Sequence, residues 1–192
     1  MDVGVLALQG DVREHVEAAR RAAEELNVDV DVEAVRTAEG VRDADVVVLP
    51  GGESTTLSRL AHETDVAEAL VDHVTSGGRT LATCAGLILV SRSADDDRVE
   101  TLGLLDVAVE RNAYGGQRES FEAAVEVEGV DGGFHAVFIR APRIAEVGEA
   151  EPIAWLDDDV VGVRGGPEGN VVATSFHPEL TDDVSVHGMV MA

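Results

Sequence analysis

The sequence predicts a three-layer α/β/α domain with a mixed, mostly parallel central sheet. Three observations predict it. The first half alternates short apolar runs with amphipathic stretches, the pattern of strands joined by crossover helices. The second half holds Val-rich runs broken by Gly, Pro and Asp, the pattern of strands and hairpins. No linker rich in Pro, Gly or Ser, no repeat and no low-complexity block divides the 192 residues, so one domain over 1–192 is expected.

The elements follow in order. Val3–Leu8 is a short apolar run and reads as a buried strand. From Val12 to Leu26 the apolar positions Val12, Val16, Ala19, Ala23 and Leu26 recur at helical spacing. Val28–Val35 alternates acids with Val, as a half-exposed strand does. Val46–Leu49 is a second buried strand, stopped by Pro50-Gly51-Gly52. Ser54 is placed to cap a helix through Leu57 and Leu60, and a further helix is expected over Val66–Val74, ended by Gly77-Gly78. Arg79–Thr83 reads as a third buried strand and Ala85–Val90 as the helix after it. Short strands and hairpins are expected from Asp106 to Ser175, and a short closing helix over Val184–Met191. Strands alternating with helices imply right-handed crossovers and helices on both faces of the sheet.

Composition narrows the function classes. There are 38 acids against 14 bases, every base is Arg, and the net charge is −24. A pI near 4.3 argues against nucleic-acid or anionic-membrane partners, both of which want a basic face. Hydrophobic residues at 45% can fill a core, which argues against disorder, and with aromatics at 3% that core must be Val, Leu, Ala and Ile. The single Cys excludes an internal disulfide and fits a reducing compartment. No apolar run approaches the ~18 residues of a membrane span, and the first residues enter a strand pattern without a basic region. A cytoplasmic protein is expected. The acids are spread along the chain, in 95–97, 157–159 and 182–183. Together with the absence of Lys they favour a salt-loving source over an ordinary acidic protein.

The chemistry-bearing candidates begin with Cys84. A lone Cys in an apolar stretch is usually a small buried hydrophobe. Here it follows a strand ending at Thr83, with small residues two before (Ala82) and two after (Gly86). That is the pattern of a nucleophile on a sharp strand-to-helix turn, and the following helix N-terminus favours the thiolate. A thiolate needs a base and a group that orients the base. His177 and Glu179 in Phe176-His177-Pro178-Glu179 supply both, and in an extended segment residues two apart share a face. Read alone, the same residues also suit a surface His-Pro turn. The other histidines, His15, His62, His73, His135 and His187, show no clustering or metal-ligand spacing and read as structural or surface residues. Leu49–Thr56 (LPGGESTT) places consecutive glycines after a strand, where backbone N–H groups can point into a cleft; a plain turn before a helix is the other reading. It is not a phosphate loop, because the required Lys is missing.

With these pieces the chain resembles the class I (triad-type) glutamine amidotransferases, and within them the glutaminase subunits of pyridoxal 5′-phosphate synthase. The resemblance covers nearly the whole length. It is carried by LALQGDVREH (6–15), LPGGESTT (49–56), TCAGLI (83–88), GLLDVAVERNAYGGQRESF (103–121), FIRAP (138–142) and SFHPELT (175–181). It implies a flavodoxin-like fold and hydrolysis of L-glutamine to L-glutamate and ammonia, without metal or cofactor. Cys84 would be the nucleophile, His177 its base and Glu179 the orienting group. Backbone N–H groups of Gly51 and Ala85 would hold the oxyanion. Gly52, Glu53, Ser54, Arg111, Ile139 and Arg140 match positions that contact glutamine, Ile139 through its backbone; for the two Arg a surface ion pair remains the alternative. The resemblance further implies a (β/α)8-barrel synthase partner that receives the ammonia within a large hetero-oligomer. The segment Gln9–His15 and its helix would be docking surface, an ordinary amphipathic helix being the other reading. Two departures stand out: Gly116 replaces an expected Arg, and the last helix is short. Rival readings are a glutaminase of another pathway, such as imidazole glycerol phosphate synthesis, and a non-catalytic module of the same fold. VERNAYG and FIRAP speak against the first, and the presence of Cys84, His177 and Glu179 against the second.

Overall fold

The Val-rich strands 46–49 and 171–174, buried at every residue, lie inside the sheet, where both faces are covered. The computed structural model describes residues 1–111, 113 and 120–192; Gly116 lies outside them. In chain order its elements are β1 (Asp2–Leu6), α1 (Val12–Leu26), β2 (Asp31–Val35), α2 (Ala38–Asp43), β3 (Val46–Leu49), α3 (Ser54–Glu63), α4 (Val66–Thr75), β4 (Arg79–Thr83), α5 (Ala85–Val90), β5 (Ser91–Ala94) and β6 (Leu105–Glu110). Then come β7 (Ser120–Val127), β8 (Phe134–Ile139), β9 (Arg143–Val147), β10 (Glu151–Leu156), β11 (Asp159–Gly165), β12 (Val171–Thr174), a 3₁₀ turn at Pro178–Leu180 and α6 (Ser185–Gly188).

A nine-stranded sheet runs β2-β1-β3-β4-β12-β11-β10-β7-β8, and β5-β6-β9 form a smaller sheet. Pairings from β2 to β12 are parallel and those from β12 to β8 antiparallel. The sheet is therefore mixed as expected, but parallel pairing prevails only in its first half. β3 and β12 are buried at every residue. One face carries α3, α4 and α5 through Leu57, Leu70, Leu87 and Leu89. The other carries α1 and α6 through Ala18, Ala19, Ala22 and Val186.

Several local expectations shift. The buried stripe of α1 is His15, Ala18, Ala19, Ala22 and Ala23, rotated from the predicted one, and Leu26 is 43% exposed. Alanines are weak hydrophobes but let a helix lie close to a sheet, so they won the inward face over Val12, Val16 and Leu26. Glu53, not Ser54, caps α3: its carboxylate accepts from the Thr55 and Thr56 N–H groups. Helix α2, capped by the Thr37 hydroxyl, was too short to show a period. The first strand stops at Leu6, and the closing helix is only Ser185–Gly188.

Three of the four Phe residues, Phe134, Phe138 and Phe176, are fully buried together, with centroids of 5.4 and 5.8 Å from Phe134 and Phe138 to Phe176. Phe176 thus anchors the segment that delivers His177. Replacing such a ring by Ala typically costs about 3–5 kcal/mol.

Candidate active site

Strand register explains how residues 84 and 177 meet. β4 and β12 are adjacent, parallel and paired Thr83 with Thr174. Both chains therefore leave the sheet at the same carboxyl edge, where open α/β sheets place their sites. Cys84 comes one residue after β4, and its N–H donates to the Thr174 carbonyl at 2.8 Å. Its φ of +49° makes a strained strand-to-helix bend, the geometry expected of a nucleophile elbow, with α5 beginning at the next residue, Ala85. A side chain at Gly86 would meet the Leu49 carbonyl at 2.4 Å, which is why that position must be Gly. Ala82 pairs with Leu49 on one side and Ala173 on the other.

His177 donates its backbone N–H to the Val137 carbonyl of β8 at 2.8 Å, so both halves of the sheet hold it. Its Nδ1 is 2.7 Å from Glu179 Oε1. The contact was expected from an extended segment; it arises instead because Pro178 starts a 3₁₀ turn that folds Glu179 back under the ring. His177 is 3% exposed and Glu179 5%. Burial disfavours the imidazolium, but the charge of Cys84 as thiolate beside the ring and the Glu179 carboxylate outweigh it, and the pKa is raised to about 10. The Cys84 thiol also points toward the Ile139 carbonyl, 3.9 Å away.

Gly51 closes the third side. A Cβ there would lie 2.4 Å from His177 Cε1 and 3.3 Å from Cys84 Cβ, so only glycine lets the loop approach both. Gly52 has φ +143°, and a side chain on it would strike Gln9. The Gln9 amide clasps this loop, donating to the Glu53 carbonyl at 2.9 Å and accepting from the Glu53 N–H at 3.0 Å.

A cleft of about 160 Å³ opens here, lined by Asp11, Gly52, Glu53, Ser54, Cys84, Ile88, Arg111, Ile139, Arg140 and His177. It is below the ~300–1,000 Å³ of pockets for drug-sized ligands and suits a small polar molecule. Eight of the eleven sequence-predicted site residues line it; Gly51, Ala85 and Glu179 stand directly behind. Arg111 bridges Asp96 and Glu53, the latter at 3.4 Å, so it is ion-paired and also faces the cleft. Burial pushes the Glu53 carboxyl up, but hydrogen bonds from Thr55 and Thr56 prevail and bring it down to about 2. Arg140, at φ +43°, lines the cleft with no ion pair among the described residues. Asp11, His177 and Glu179 offer ligand atoms within 4.8 Å of one another. A cation there would have to take His177 Nδ1 from Glu179.

Of the five other histidines, read as structural or surface residues without clustering, His15 and His187 do cluster. Both are fully buried and lie against each other, and His15 also lies against Glu179, with His15 Nε2 3.3 Å from Glu179 Oε2 and His15 Nδ1 2.9 Å from His187 Nε2. Gln9, Asp11 and Asp96 also belong to the site's surroundings. The one available signal was the position of His15 on the alanine stripe of α1.

Residues 5–191 match the SNO glutamine amidotransferase family. The chain is 55% identical to the pyridoxal 5′-phosphate synthase subunit PdxT of Natronomonas pharaonis, over 98% of this chain and 97% of that one. It is 53% identical to the PdxT of Halorubrum lacusprofundi (98% and 95%) and 47% identical to that of Pyrococcus furiosus (96% and 94%). A crystal structure of a glutamine amidotransferase superposes with a TM-score of 0.86 at 42% identity, covering 98% of this chain and 96% of the other. A glutamine amidotransferase from Thermotoga maritima, 14% identical over 97% of this chain and 80% of its own at a TM-score of 0.62, shares the fold. The bend at Cys84, the register that brings His177 to it and these likenesses together place the chain in the SNO glutamine amidotransferase family.

Proposed function

We propose that the chain hydrolyses L-glutamine and delivers the ammonia to a pyridoxal 5′-phosphate synthase. The observation that carries the reading is the meeting of Cys84, at the bend, with the His177–Glu179 pair at one carboxyl edge of the sheet. Cys84 gives its proton to His177 and attacks the side-chain carboxamide carbon. The resulting oxyanion is held by the backbone N–H groups of Gly51 and Ala85. His177 returns the proton as the C–N bond breaks, releasing ammonia and leaving a glutamyl thioester. Water, deprotonated by His177, then cleaves the thioester to glutamate and restores the thiol. Glu179 holds the ring for each transfer. Two guanidinium groups and two carboxylates around the cleft suit a zwitterionic amino acid: Arg111 and Arg140 fit its carboxylate. Gly52, Glu53, Ser54 and the Ile139 backbone complete its binding site.

The relatives' description as a synthase subunit supports a synthase partner for this chain. By the family resemblance that partner is a (β/α)8 barrel in a large hetero-oligomer, docked on Gln9–His15 and α1. No helix among the described residues is long and apolar enough to cross a membrane; we place the complex in the cytoplasm. A charge of −24 on 192 residues repels itself, and at about 1 M salt the Debye length falls to ~3 Å and relieves it. The deciding assay measures ammonia released from glutamine with and without the synthase, at low and molar salt. Release that needs Cys84 and rises with the synthase and with salt is expected. No release under any of these conditions refutes the reading.

A further inference from the structure

The carboxylate that holds His177 is itself held from beneath, by side chains drawn from near the two ends of the chain. Glu179 Oε1 meets His177 Nδ1, while Oε2 lies 3.3 Å from His15 Nε2, and the His15 and Glu179 side chains are wholly buried. His15 Nδ1 is 2.9 Å from His187 Nε2, and His15 Nε2 is also 3.2 Å from Thr83 Oγ1. Thr83 immediately precedes Cys84, and its hydroxyl is 3.5 Å from the Leu49 carbonyl at the start of the Pro50–Gly52 loop.

These contacts admit two proton arrangements. Burial, reinforced by His187 and His177, holds His15 well below the usual histidine range, so it carries one ring proton. With that proton on Nδ1, His15 donates to His187 Nε2. The His187 proton must then sit on Nδ1, where no acceptor reaches it among the described residues, and a bare His15 lone pair faces the Glu179 carboxylate. With the proton on Nε2, His187 donates from Nε2 to His15 Nδ1. His15 then donates to Thr83 Oγ1 with the same N–H edge turned toward Glu179 Oε2, 3.3 Å away and otherwise without a hydrogen-bond partner among the described residues, and the Thr83 hydroxyl donates to Leu49. Every donor in the second arrangement has an acceptor, and the first buries an unpaired one.

We propose that His15 is a positioning residue of this site: protonated on Nε2, it holds Glu179 and, through Thr83, the bend carrying Cys84, while His187 fixes that tautomer. The network lies at the root of α1, so the group that steadies the His177 base is seated on the helix proposed above as docking surface.

The kinetic arm of the test rests on the glutamine hydrolysis proposed above. His15→Leu removes the donor at similar volume, and His15→Gln restores an N–H near the place of Nε2. With the synthase present, His15→Leu is expected to lower kcat for glutamine about 10- to 100-fold with KM within about twofold, the range of buried polar groups left without their partner. His15→Gln should recover most of that loss, which a merely space-filling role would not predict. Nitrogen-15 spectra of the histidine rings in the unaltered protein decide the matter without turnover and whether or not the Leu variant folds. Near neutral pH both His15 and His187 should carry a single proton, on Nε2. A His15 proton on Nδ1, or a Leu variant with undiminished kcat, overturns the proposal. Loss of ammonia release in Cys84→Ala tests the hydrolysis reading separately, since the tautomer does not depend on any reaction.

Discussion

The two sides of the His177 ring face different media. Toward Cys84 lies a cleft lined by partly exposed charged groups, Asp11, Glu53, Arg111 and Arg140, on loops after β1, β3, β6 and β8. Beneath it lie Glu179, His15 and His187, each with 5% exposure or less. The cleft side can exchange its water and ion pairs for a substrate. The buried side is shut off from bulk solvent, so its polar groups depend on partners within the chain. Substitutions on the first side should change turnover and affinity with little effect on stability, and those on the second should appear in stability and its pH dependence as well.

The largest effect should come from the cleft side. Cys84→Ala is expected to lower ammonia release from glutamine by on the order of 10³-fold or more, as loss of a nucleophile does. The synthase in the same complex should still use added ammonium; if glutamine turnover survives instead, the division of labour drawn here is wrong. Gly51→Ala comes next. Its Cβ would stand 2.4 Å from His177 Cε1, so the ring or the loop must move, and misplacement of this size costs about 100-fold. Equal rates for the variant and the unaltered protein would show that the loop does not meet His177 during turnover. Arg111→Met should raise KM for glutamine roughly tenfold with a smaller change in kcat, the pattern of lost ground-state binding. An unchanged KM with a lowered melting temperature would mean that Arg111 serves only its pairs with Asp96 and Glu53.

The buried side predicts a pH effect on stability. Burial and then the Arg21 charge push His187 down to about 3, and His15 is lowered by burial, His187 and His177. Unfolded rings titrate near pH 6.5, so below that the unfolded chain binds protons that the native chain refuses. Their contribution is present above pH 6.5 and is lost as pH falls toward 3, by up to about 1.4 kcal/mol per pH unit for each ring. His177 has the opposite sign: with its pKa raised to about 10, its contribution is complete below pH 6.5 and is lost as pH rises through 10. His187→Gln should therefore flatten the acid limb of melting temperature against pH and leave the alkaline limb alone. An acid limb as steep as before would contradict the buried neutral assignment.

The same contrast separates what was legible in the sequence. The cleft side is written in local patterns. Arg79–Thr83 and Ala85–Val90 occur with the bounds read from periodicity, and Cys84 stands between them at a positive φ. Glycines at 51, 52 and 86 mark close approaches that a side chain would block. The buried side is written in contacts between residues far apart. His15 and His187 are 172 positions apart and meet only because α1 and α6 share one face of the sheet. His187 lies in no motif, His15 was singled out only within the segment Gln9–His15 as docking surface, and the inward stripe of α1 was misread because its alanines weigh less than its Val and Leu. The joining of His177 to Glu179 shows a middle case: the pair was legible, but the 3₁₀ turn that makes it depends on Pro178 and on packing of Phe176 that no spacing rule contains.

The central claim is that Cys84 becomes covalently acylated by glutamine under the control of His177. Mixing the complex with isotopically labelled glutamine, quenching in acid and digesting the chain tests this directly. Mass spectrometry should find the label as a glutamyl thioester on the peptide carrying Cys84, and the adduct should vanish in Cys84→Ala and fall sharply in His177→Asn. Ammonia release with no labelled Cys84 peptide, or with the label on another residue, would contradict the account.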